Sequence, residues 1–492
     1  MNILLRDVAE EQIRADILVL PFFEGCSSEL YSDLDLLTNG LISRPLKSDD
    51  FTGKLGQTML LPVRNINSPR LILIGLGKKE TVTHEKIRRA GAKAFEAIKE
   101  IGIAEIALSA RGFGHIPEGI VLLQKPEFYF LEGGLLGIYG FDKYKTSKPE
   151  GKSTRKISSV TVLGSDKALP VKWLQTMVSA VYMARDLINT PANDMTPSAL
   201  AKISKAFSGR RVKIKVLERK DIEKEKMGAY LSVTKGSDEP PKFILIEYKG
   251  GKGRPVVLIG KSVTFDSGGL DIKPGEGMER MKYDMAGGAA VLAVMKAISE
   301  LSMNLNVVGI LPAVENLIGG SASRPGDVVT AITGKTIEII STDAEGRLTL
   351  ADAIGYAIKY IKPGAIIDIA TLTGACNLAF GNEALAMMGT DAGLMDRIRA
   401  ASEEAYERAW PMPLFEEYKD YLKSDIADIK NVGGRKGALS SSACFLREFA
   451  GETPWVHLDI AGAAWNDKER PYSPKGASGV GVRLLLNFLK EL

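Results

Sequence analysis

Short apolar runs alternate with segments of helical periodicity along most of this 492-residue chain. The runs are continuous instead of alternating with polar residues, which is typical of strands buried on both faces. Strands that alternate with helices form a parallel or mixed sheet that helices cover on both sides. The sequence therefore predicts an α/β fold with a mixed, largely parallel central sheet. The expected strands are 17–21, 71–74, 160–163, 254–259, 305–311, 336–340, 365–370 and 456–460, and the expected helices are 84–101, 171–188, 286–301 and 350–361.

The length allows two or three domains. We expect a smaller N-terminal α/β domain over 1–165, a connecting helix over 166–189 and a larger C-terminal α/β domain over 190–492. The stretch 143–156 is rich in Lys, Ser, Pro and Gly, so an exposed loop is expected near the end of the first domain.

The charge balance sets limits on partners and location. Lys plus Arg total 64 against 60 Asp plus Glu, and a net charge of +4 does not favour nucleic acid or an anionic membrane as the main partner. The basic side chains of the loop at 143–156 could still form a local patch that binds nucleic acid.

Three widely spaced cysteines, Cys26, Cys376 and Cys444, form no disulfide framework. No signal peptide or membrane span is evident, and we expect a cytoplasmic protein.

Three short motifs resemble other sites and fail on their context. Gly260-Lys-Ser resembles the end of a phosphate-binding loop, but Pro255 stands where that motif needs Gly. Gly75-Leu-Gly77 is followed by Glu80 where a dinucleotide motif needs a third Gly. Asp266-Ser-Gly-Gly resembles a serine-protease loop, but the chain has three histidines and an α/β pattern, so a serine hydrolase is disfavoured.

Polar, Gly-rich clusters follow three of the expected strands, at 260–273, 341–347 and 371–374. Ligands of open α/β sheets bind at the carboxyl ends of strands, so these clusters are expected to converge on one site.

Two of the clusters and the residues after them bring acidic side chains together: Asp266, Asp284, Asp343 and Glu345. Taken singly, each fits a turn or a helix cap. Packed into one pocket, they would raise each other's pKa unless a cation neutralised them. With so few histidines the site must be dominated by oxygen ligands, which suit Mg²⁺ or Mn²⁺ and are accepted by Zn²⁺.

Five blocks carry a resemblance to a known family. Residues 261–269 read KSVTFDSGG and residues 342–348 read TDAEGRL; supporting blocks are NTPAN at 189–193, DIATLTGA at 368–375 and HLDIAG at 457–462. Together they resemble the signatures of the leucyl aminopeptidase (cytosol aminopeptidase) family, in family order over about 190–480. The N-terminal part matches only in length and general pattern.

The resemblance implies two divalent ions per subunit, Mn²⁺ or Zn²⁺ with Mg²⁺ as a further alternative. Asp266 and Glu345 would bridge them, Lys261 (uncharged) and Asp284 would complete one site, and Asp343 the other. A water between the ions would attack the peptide.

The resemblance also implies two catalytic cations. Lys273 would stay protonated and polarise the scissile carbonyl or stabilise the oxyanion. Arg347 would hold a bicarbonate that acts as general base.

In the family reading, the chain removes N-terminal residues, preferably apolar ones such as Leu, from peptides with a free amine. The substrate-binding candidates are Met281, Thr371, Leu372, Thr373, Gly374, Ala461 and Ala464. The 190–492 domain would be catalytic, the 1–165 domain macro-like, and the assembly a homohexamer. Two positions depart from the family pattern: Ser341 stands where Asn is usual, and Ala464 is smaller than in some relatives.

Two other functions stay open at the level of sequence. A different two-metal hydrolase acting on phosphate esters would use a similar donor set. A DNA-binding regulator would use the basic loop at 143–156, and its binding would fall steeply with salt.

Overall fold

The structure, a computed structural model of the chain, describes residues 1–114, 116, 125–147, 156–165 and 168–492. His115 and most of the predicted basic loop, residues 148–155, lie outside the described residues. Within the described ranges, each helix is too short or too polar to cross a bilayer.

The chain divides into two compact units. The first comprises Met1–Val178 and Glu469–Pro474, and the second comprises Ser179–Lys468 and Lys475–Leu492. The boundary falls inside the helix Val171–Asn189. Residues 469–474, which the sequence assigned to the second domain, pack with the first unit; the domain limits at 165 and 190 stay predictions.

In its described residues, the first unit contains a six-stranded sheet. The strand order is β1-β6-β5-β2-β4-β3, and pairing is parallel except between β3 and β4. The strands are Asn2–Arg6 (β1), Ile17–Phe23 (β2), Thr58–Pro62 (β3), Arg70–Gly77 (β4), Glu105–Ser109 (β5) and Ser159–Leu163 (β6). The helices are Ser32–Leu37 (α1), Ser43–Lys47 (α2), His84–Ile101 (α3), Pro126–Gly137 (α4) and Val171–Asn189 (α5), the last shared with the second unit.

The second unit, all of which is described, is built on a nine-stranded mixed sheet. Its order is β16-β15-β18-β14-β9-β11-β8-β7, with β10 beside β11. The centre, β18-β14-β9-β11, is parallel, whereas β8 pairs antiparallel with β11 and with β7, and β15 antiparallel with β18. The strands are Val212–Leu217 (β7), Lys242–Lys249 (β8), Val256–Gly260 (β9), Ser262–Asp266 (β10), Asn306–Asn316 (β11), Val328–Thr330 (β12), Thr336–Glu338 (β13), Ala365–Ala370 (β14), Leu385–Gly389 (β15), Ala409–Pro411 (β16), Ile429–Lys430 (β17), Trp455–Asp459 (β18), Trp465–Asn466 (β19) and Gly476–Ala477 (β20).

Helices and two small sheets complete the second unit. Strands β12, β13 and β17 form one small sheet, and β19 and β20 form the other. The helices are Pro197–Lys205 (α6), Arg219–Lys224 (α7), Gly228–Val233 (α8), Ala286–Leu301 (α9), Gly346–Tyr356 (α10), Gly374–Phe380 (α11), Ala392–Ala405 (α12), Ala438–Ala450 (α13) and Val482–Lys490 (α14). The predicted α/β fold, with a smaller N-terminal part and a larger part around a mixed sheet, is confirmed.

The carboxylate of Asp352 is fully buried in the core of the second unit. Asp352 lies on α10 and accepts hydrogen bonds from the backbone N–H groups of Tyr230 (2.8 Å) and Ile332 (2.7 Å). It thereby joins α10 to α8 and to the loop after β12. Burial raises the pKa of Asp352 to about 7, although these N–H groups act in the opposite direction.

This elevated pKa predicts a pH-dependent stability. Between about pH 4 and pH 7 the native protein holds a proton at Asp352 that the unfolded chain has released, so stability falls as pH rises. We expect the free energy of unfolding to fall relative to that of Asp352→Asn, by at most about 1.4 kcal/mol per pH unit. Chemical unfolding of both proteins from pH 4.5 to 7 measures the difference; parallel curves would contradict the assignment.

Candidate metal centre

The predicted ligands meet at the carboxyl ends of neighbouring strands. Lys261 follows β9, and Asp266 is the last residue of β10. Asp284 belongs to the 3₁₀ helix Met278–Met285, and Asp343 and Glu345 lie between β13 and α10. All but Asp343 are buried. The fold therefore brings all five side chains to one edge of the sheet.

The ammonium group of Lys261 lies between two of the carboxylates. Its Nζ is 2.7 Å from Asp284 Oδ2 and 2.7 Å from Glu345 Oε1, and it donates to the carbonyl of Thr371 at 2.8 Å. The hydroxyl of Thr371 donates to Asp284 Oδ1 at 2.8 Å. Thr371, predicted to bind substrate, thus also holds two of the predicted ligands in place.

A second ammonium group, that of Lys273, pairs with the other two carboxylates. Its Nζ lies 2.8 Å from Asp266 Oδ2 and also contacts Asp343 Oδ1. One oxygen each of Asp266, Asp343 and Glu345 lie within 4.8 Å of one another. These three carboxylates are close enough to share a cation.

The pKa values show how crowded the negative charge is. Burial and the neighbouring Glu345 raise the pKa of Asp266 to about 6, and burial raises the pKa of Asp284 well above its usual value. Burial also raises the pKa of Asp343. For Glu345, burial acts upward, but the charges of Lys261 and Lys273 hold the pKa below its usual value.

The two lysines keep their charge although they are buried or partly buried. Burial alone would lower the pKa of each ammonium group. The carboxylates around Lys261, first of all Asp284, and those around Lys273, first of all Asp266, outweigh burial and raise both pKa values. Both lysines are therefore ammonium groups in this arrangement.

This donor set fits divalent cations. Four carboxylates face two ammonium groups, and Glu345 Oε2 is buried with no hydrogen-bond partner among the described residues. A buried carboxylate oxygen of that kind is costly to leave unsatisfied. Hard cations prefer such oxygen ligands, and Lys261 could join them after losing its proton.

A second acidic group, in the first unit, has a different character. Glu10, Glu11 and Asp33 also lie close together. However, Arg111 pairs with Glu10 at 2.7 Å and with Asp33 at 2.8 Å. A guanidinium already pairs with two of these three carboxylates, so the cluster gives no reason to place a cation there.

Arg347 lies in the first turn of α10, buried close to the carboxylates. Its Nη1 donates to the backbone carbonyl of Asn431 at 2.7 Å. Among the described residues Arg347 forms no ion pair, and its Nε has no hydrogen-bond partner. Burial lowers the pKa of this guanidinium to about 10, which still leaves it charged at neutral pH.

A cavity of about 400 Å³ opens beside Lys273 and Asp343. The predicted pocket residues Met281 and Ala461 line it, together with Tyr283, Asn377 and Trp465. Ala464 is fully buried and does not line this cavity. Of the predicted pocket residues, Met281 and Ala461 therefore lie on the cavity wall, and Ala464 does not.

The loop at 371–374 is held by Asp459, a residue to which the sequence analysis gave no role. Asp459 accepts from Leu372 N at 3.2 Å, from Thr373 Oγ1 at 2.7 Å and from Ala461 N at 3.1 Å. Gly374 begins α11 directly after this loop. One buried carboxylate thus contacts two of the predicted substrate-binding segments.

Two asparagines were also missed. Asn316 donates to Asp266 Oδ1 at 2.7 Å and to the carbonyl of Thr342 at 3.0 Å. Asn431 contacts both Ser341 and Arg347. Both lie at or just beyond strand ends, and that position was the available sequence signal.

The fold and the site together define a metal-dependent hydrolase. Residues 182–486 match the family model of the cytosol aminopeptidase catalytic domain, and residues 19–148 match that of its N-terminal domain. The chain belongs to the cytosol aminopeptidase family. It is accordingly a metal-dependent aminopeptidase that acts on peptides.

Individual relatives support the family assignment. The chain is 43% identical to the "Probable cytosol aminopeptidase" of Geobacter sp. (strain M21), over 96% of each protein. A lysine-to-glutamate mutant of tomato leucine aminopeptidase is 32% identical, with a TM-score of 0.88 over 100% of this chain and 97% of that one. The bottromycin maturation enzyme BotP in complex with Mn is 31% identical, with a TM-score of 0.86 over 97% and 99%.

Close packing at Gly346 gives a test of the site geometry. A methyl group there would lie 2.5 Å from Lys261 Cε and 2.7 Å from Nζ. The lysine tip cannot yield easily, because Asp284, Glu345 and Thr371 hold it. We expect Gly346→Ala to keep its helix, since Ala is the better helix former, but to hydrolyse leucine p-nitroanilide about 100-fold more slowly.

Gly393→Ala is the matched control, because it also lies in the first turn of a helix and its methyl group would meet only Asp391 Oδ1, at an ordinary 3.5 Å. It should keep the wild-type rate. A wild-type rate in Gly346→Ala would contradict the proposed role of Lys261.

Proposed function

We propose that this chain releases N-terminal residues from peptides with two divalent cations held by Lys261, Asp266, Asp284, Asp343 and Glu345. The observation that carries the proposal is the meeting of four carboxylates and two lysines at one sheet edge. Mn²⁺ or Zn²⁺ are the proposed ions, with Mg²⁺ as the alternative; the relative solved with Mn supports Mn²⁺.

Each ligand has a proposed place. Asp266 and Glu345 would lie between the two ions, Lys261 and Asp284 would complete one site, and Asp343 the other. When bound, two such ions lower the pKa of a water molecule and polarise a carbonyl oxygen. Oδ1 of Asp266 accepts hydrogen bonds from Asn316 and from the Gly268 N–H (2.9 Å), and these contacts fix the orientation of the carboxylate. Asp266 is therefore suited to its proposed place.

Lys273 is the proposed electrophilic residue. Its side chain is partly exposed, and it lines the cavity beside Asp343. The ordinary pKa of a lysine already makes it an ammonium group at neutral pH, and in the structure the carboxylates around Lys273 raise that pKa further. A fixed positive charge there would stabilise the negative charge that develops on the scissile carbonyl oxygen.

Arg347 is the proposed anion-binding residue. Its buried guanidinium is charged but, among the described residues, unpaired with any carboxylate, which suits a small anion such as bicarbonate. Arg347 would hold such an anion by charge and hydrogen bonding, and the bound anion would supply a general base. No histidine is among the proposed site residues to supply that base.

The substrate preference follows from the cavity wall. Met281, Ala461, Tyr283 and Trp465 form the apolar part of that wall, whereas Glu276, Arg280 and Asp467 are charged residues elsewhere on it. We propose a preference for apolar N-terminal residues such as Leu, because charged side chains would lose hydration there. The free amine of the peptide would bind one ion, and Leu372, Thr373 and Gly374 would contact the peptide.

The proposal extends to a homohexamer in the cytoplasm. Its support is the family resemblance and the names of the relatives. No described feature favours DNA binding or phosphate-ester hydrolysis over peptide hydrolysis.

Two substitutions separate the proposed roles of metal ligand and base-binding residue. Asp343→Asn should lose metal and turnover together, because a ligand charge is removed. Arg347→Ala should keep the metal and lose rate by about 10² to 10⁴, the range typical of general acid–base catalysis. Metal content after dialysis and turnover of leucine p-nitroanilide give the two readouts.

Asp396→Asn and Arg324→Ala are the controls, because both residues form exposed surface ion pairs with near neighbours. They should match the wild type. Retained metal in Asp343→Asn, or lost metal in Arg347→Ala, would contradict the assignment of that residue.

Blocking the amine of the substrate tests N-terminal recognition. Acetylated leucyl peptides should be cleaved at least about 100-fold more slowly, since the amine could no longer bind an ion. Chelated enzyme should be inactive toward the free peptide, and Mn²⁺ or Zn²⁺ should restore it. Full activity after chelation would end the two-ion proposal, whereas cleavage of acetylated peptide would end only the proposed role of the amine.

A further inference from the structure

The short strand β17 ends beside the loop that carries Asp343 and Glu345. It pairs in parallel with β13, with Lys430 opposite Glu338. Asn431 follows directly, is fully buried, and donates its backbone N–H to the Glu338 carbonyl at 2.9 Å. The strand pairing therefore continues to the point at which the ligand loop begins.

The side chain of Asn431 then takes the place of a strand partner. Its Oδ1 accepts from Ile340 N at 2.8 Å and from Ser341 N at 3.3 Å, and its Nδ2 donates to the Ser341 carbonyl at 2.7 Å. The hydroxyl of Ser341 in turn accepts from Asp343 N at 3.2 Å. A continuous chain of hydrogen bonds leads from Asn431 to a proposed ligand.

The backbone of Asn431 serves a different partner. Its carbonyl accepts from Arg347 Nη1 at 2.7 Å, the hydrogen bond that orients this guanidinium among the described residues. One buried residue thus contacts both the ligand loop and the proposed anion-binding arginine. The two contacts use chemically separate parts of Asn431.

We propose that Asn431 is a positioning residue, which sets the ligand loop with its side chain and Arg347 with its backbone carbonyl. The inference rests on the proposed function, because it assigns Asn431 a role through Asp343, Glu345 and Arg347. A side-chain substitution removes the first contact and keeps the second. Its effect should therefore appear in metal binding and loop order.

The test compares Asn431→Ala with Asn306→Ala. Asn306 is a matched control because it also joins two backbone groups, Gly251 N and the Gly253 carbonyl, but at the start of β11, the end opposite Asn316. Mn²⁺ affinity is measured by calorimetry without substrate, and amide exchange at Ile340 and Ser341 is measured in metal-free protein.

In Asn431→Ala, Mn²⁺ affinity should fall by about 10- to 100-fold, as for other residues that orient metal ligands. The amides of Ile340 and Ser341, having lost their acceptor, should exchange at least about tenfold faster. Asn306→Ala should match the wild type in both. Wild-type affinity and exchange in Asn431→Ala would overturn the proposal.

A second variant covers failure of Asn431→Ala to fold. Asn431→Asp keeps both accepted bonds but sets an oxygen against the Ser341 carbonyl, so its Mn²⁺ affinity should still fall severalfold; unchanged affinity would overturn the proposal. A wild type that binds Mn²⁺ but does not hydrolyse leucine p-nitroanilide would contradict the proposed function. If the wild type is active but Asn431→Ala matches Asn306→Ala in Mn²⁺ affinity and amide exchange, only the positioning role is contradicted.

Discussion

Concentrated negative charge at one edge of a buried sheet is the constraint on which the second unit depends. Burial, and then repulsion between neighbouring carboxylates, disfavours the ionised forms of Asp266 and Asp284 and raises their pKa values. In the structure Lys261 and Lys273 balance part of that charge. Holding such a cluster in place needs rigid support, and Lys261 and Asp266 have it because they lie at the ends of strands of the main sheet.

The loops that carry the cluster are tied to one another as well as to the sheet. Asp271 and Thr342 exchange hydrogen bonds, each donating its backbone N–H to the side chain of the other, at 2.9 and 2.8 Å. Asn316 links Asp266 to the Thr342 carbonyl. These contacts join the loop of Lys273 to the loop of Asp343. We therefore expect a shift of one loop to displace the proposed ligands on the other loop.

The sequence predicts features that depend on nearby residues better than features that depend on contacts between distant residues. Periodicity found the helices 84–101 and 286–301 and the strand 365–370 with their observed ends, because buried apolar faces set them. It placed the start of helix α10 at 350 instead of Gly346, since Gly there reads as a loop residue, whereas the structure needs Gly for contact with Lys261. Asn431 lies 84 residues from Arg347 along the chain, and no local pattern predicts that contact.

The two lysines and Arg347 differ in how the protein compensates their charges. Each lysine is matched to carboxylates within hydrogen-bonding distance, so its charge is compensated inside the protein. Arg347 is also buried, but among the described residues it is oriented by a carbonyl dipole. With a pKa of about 10 it remains charged at neutral pH. A buried cation held without a carboxylate partner favours an anion from solution. This difference from the lysines is the physical reason for proposing Arg347 as the anion-binding residue.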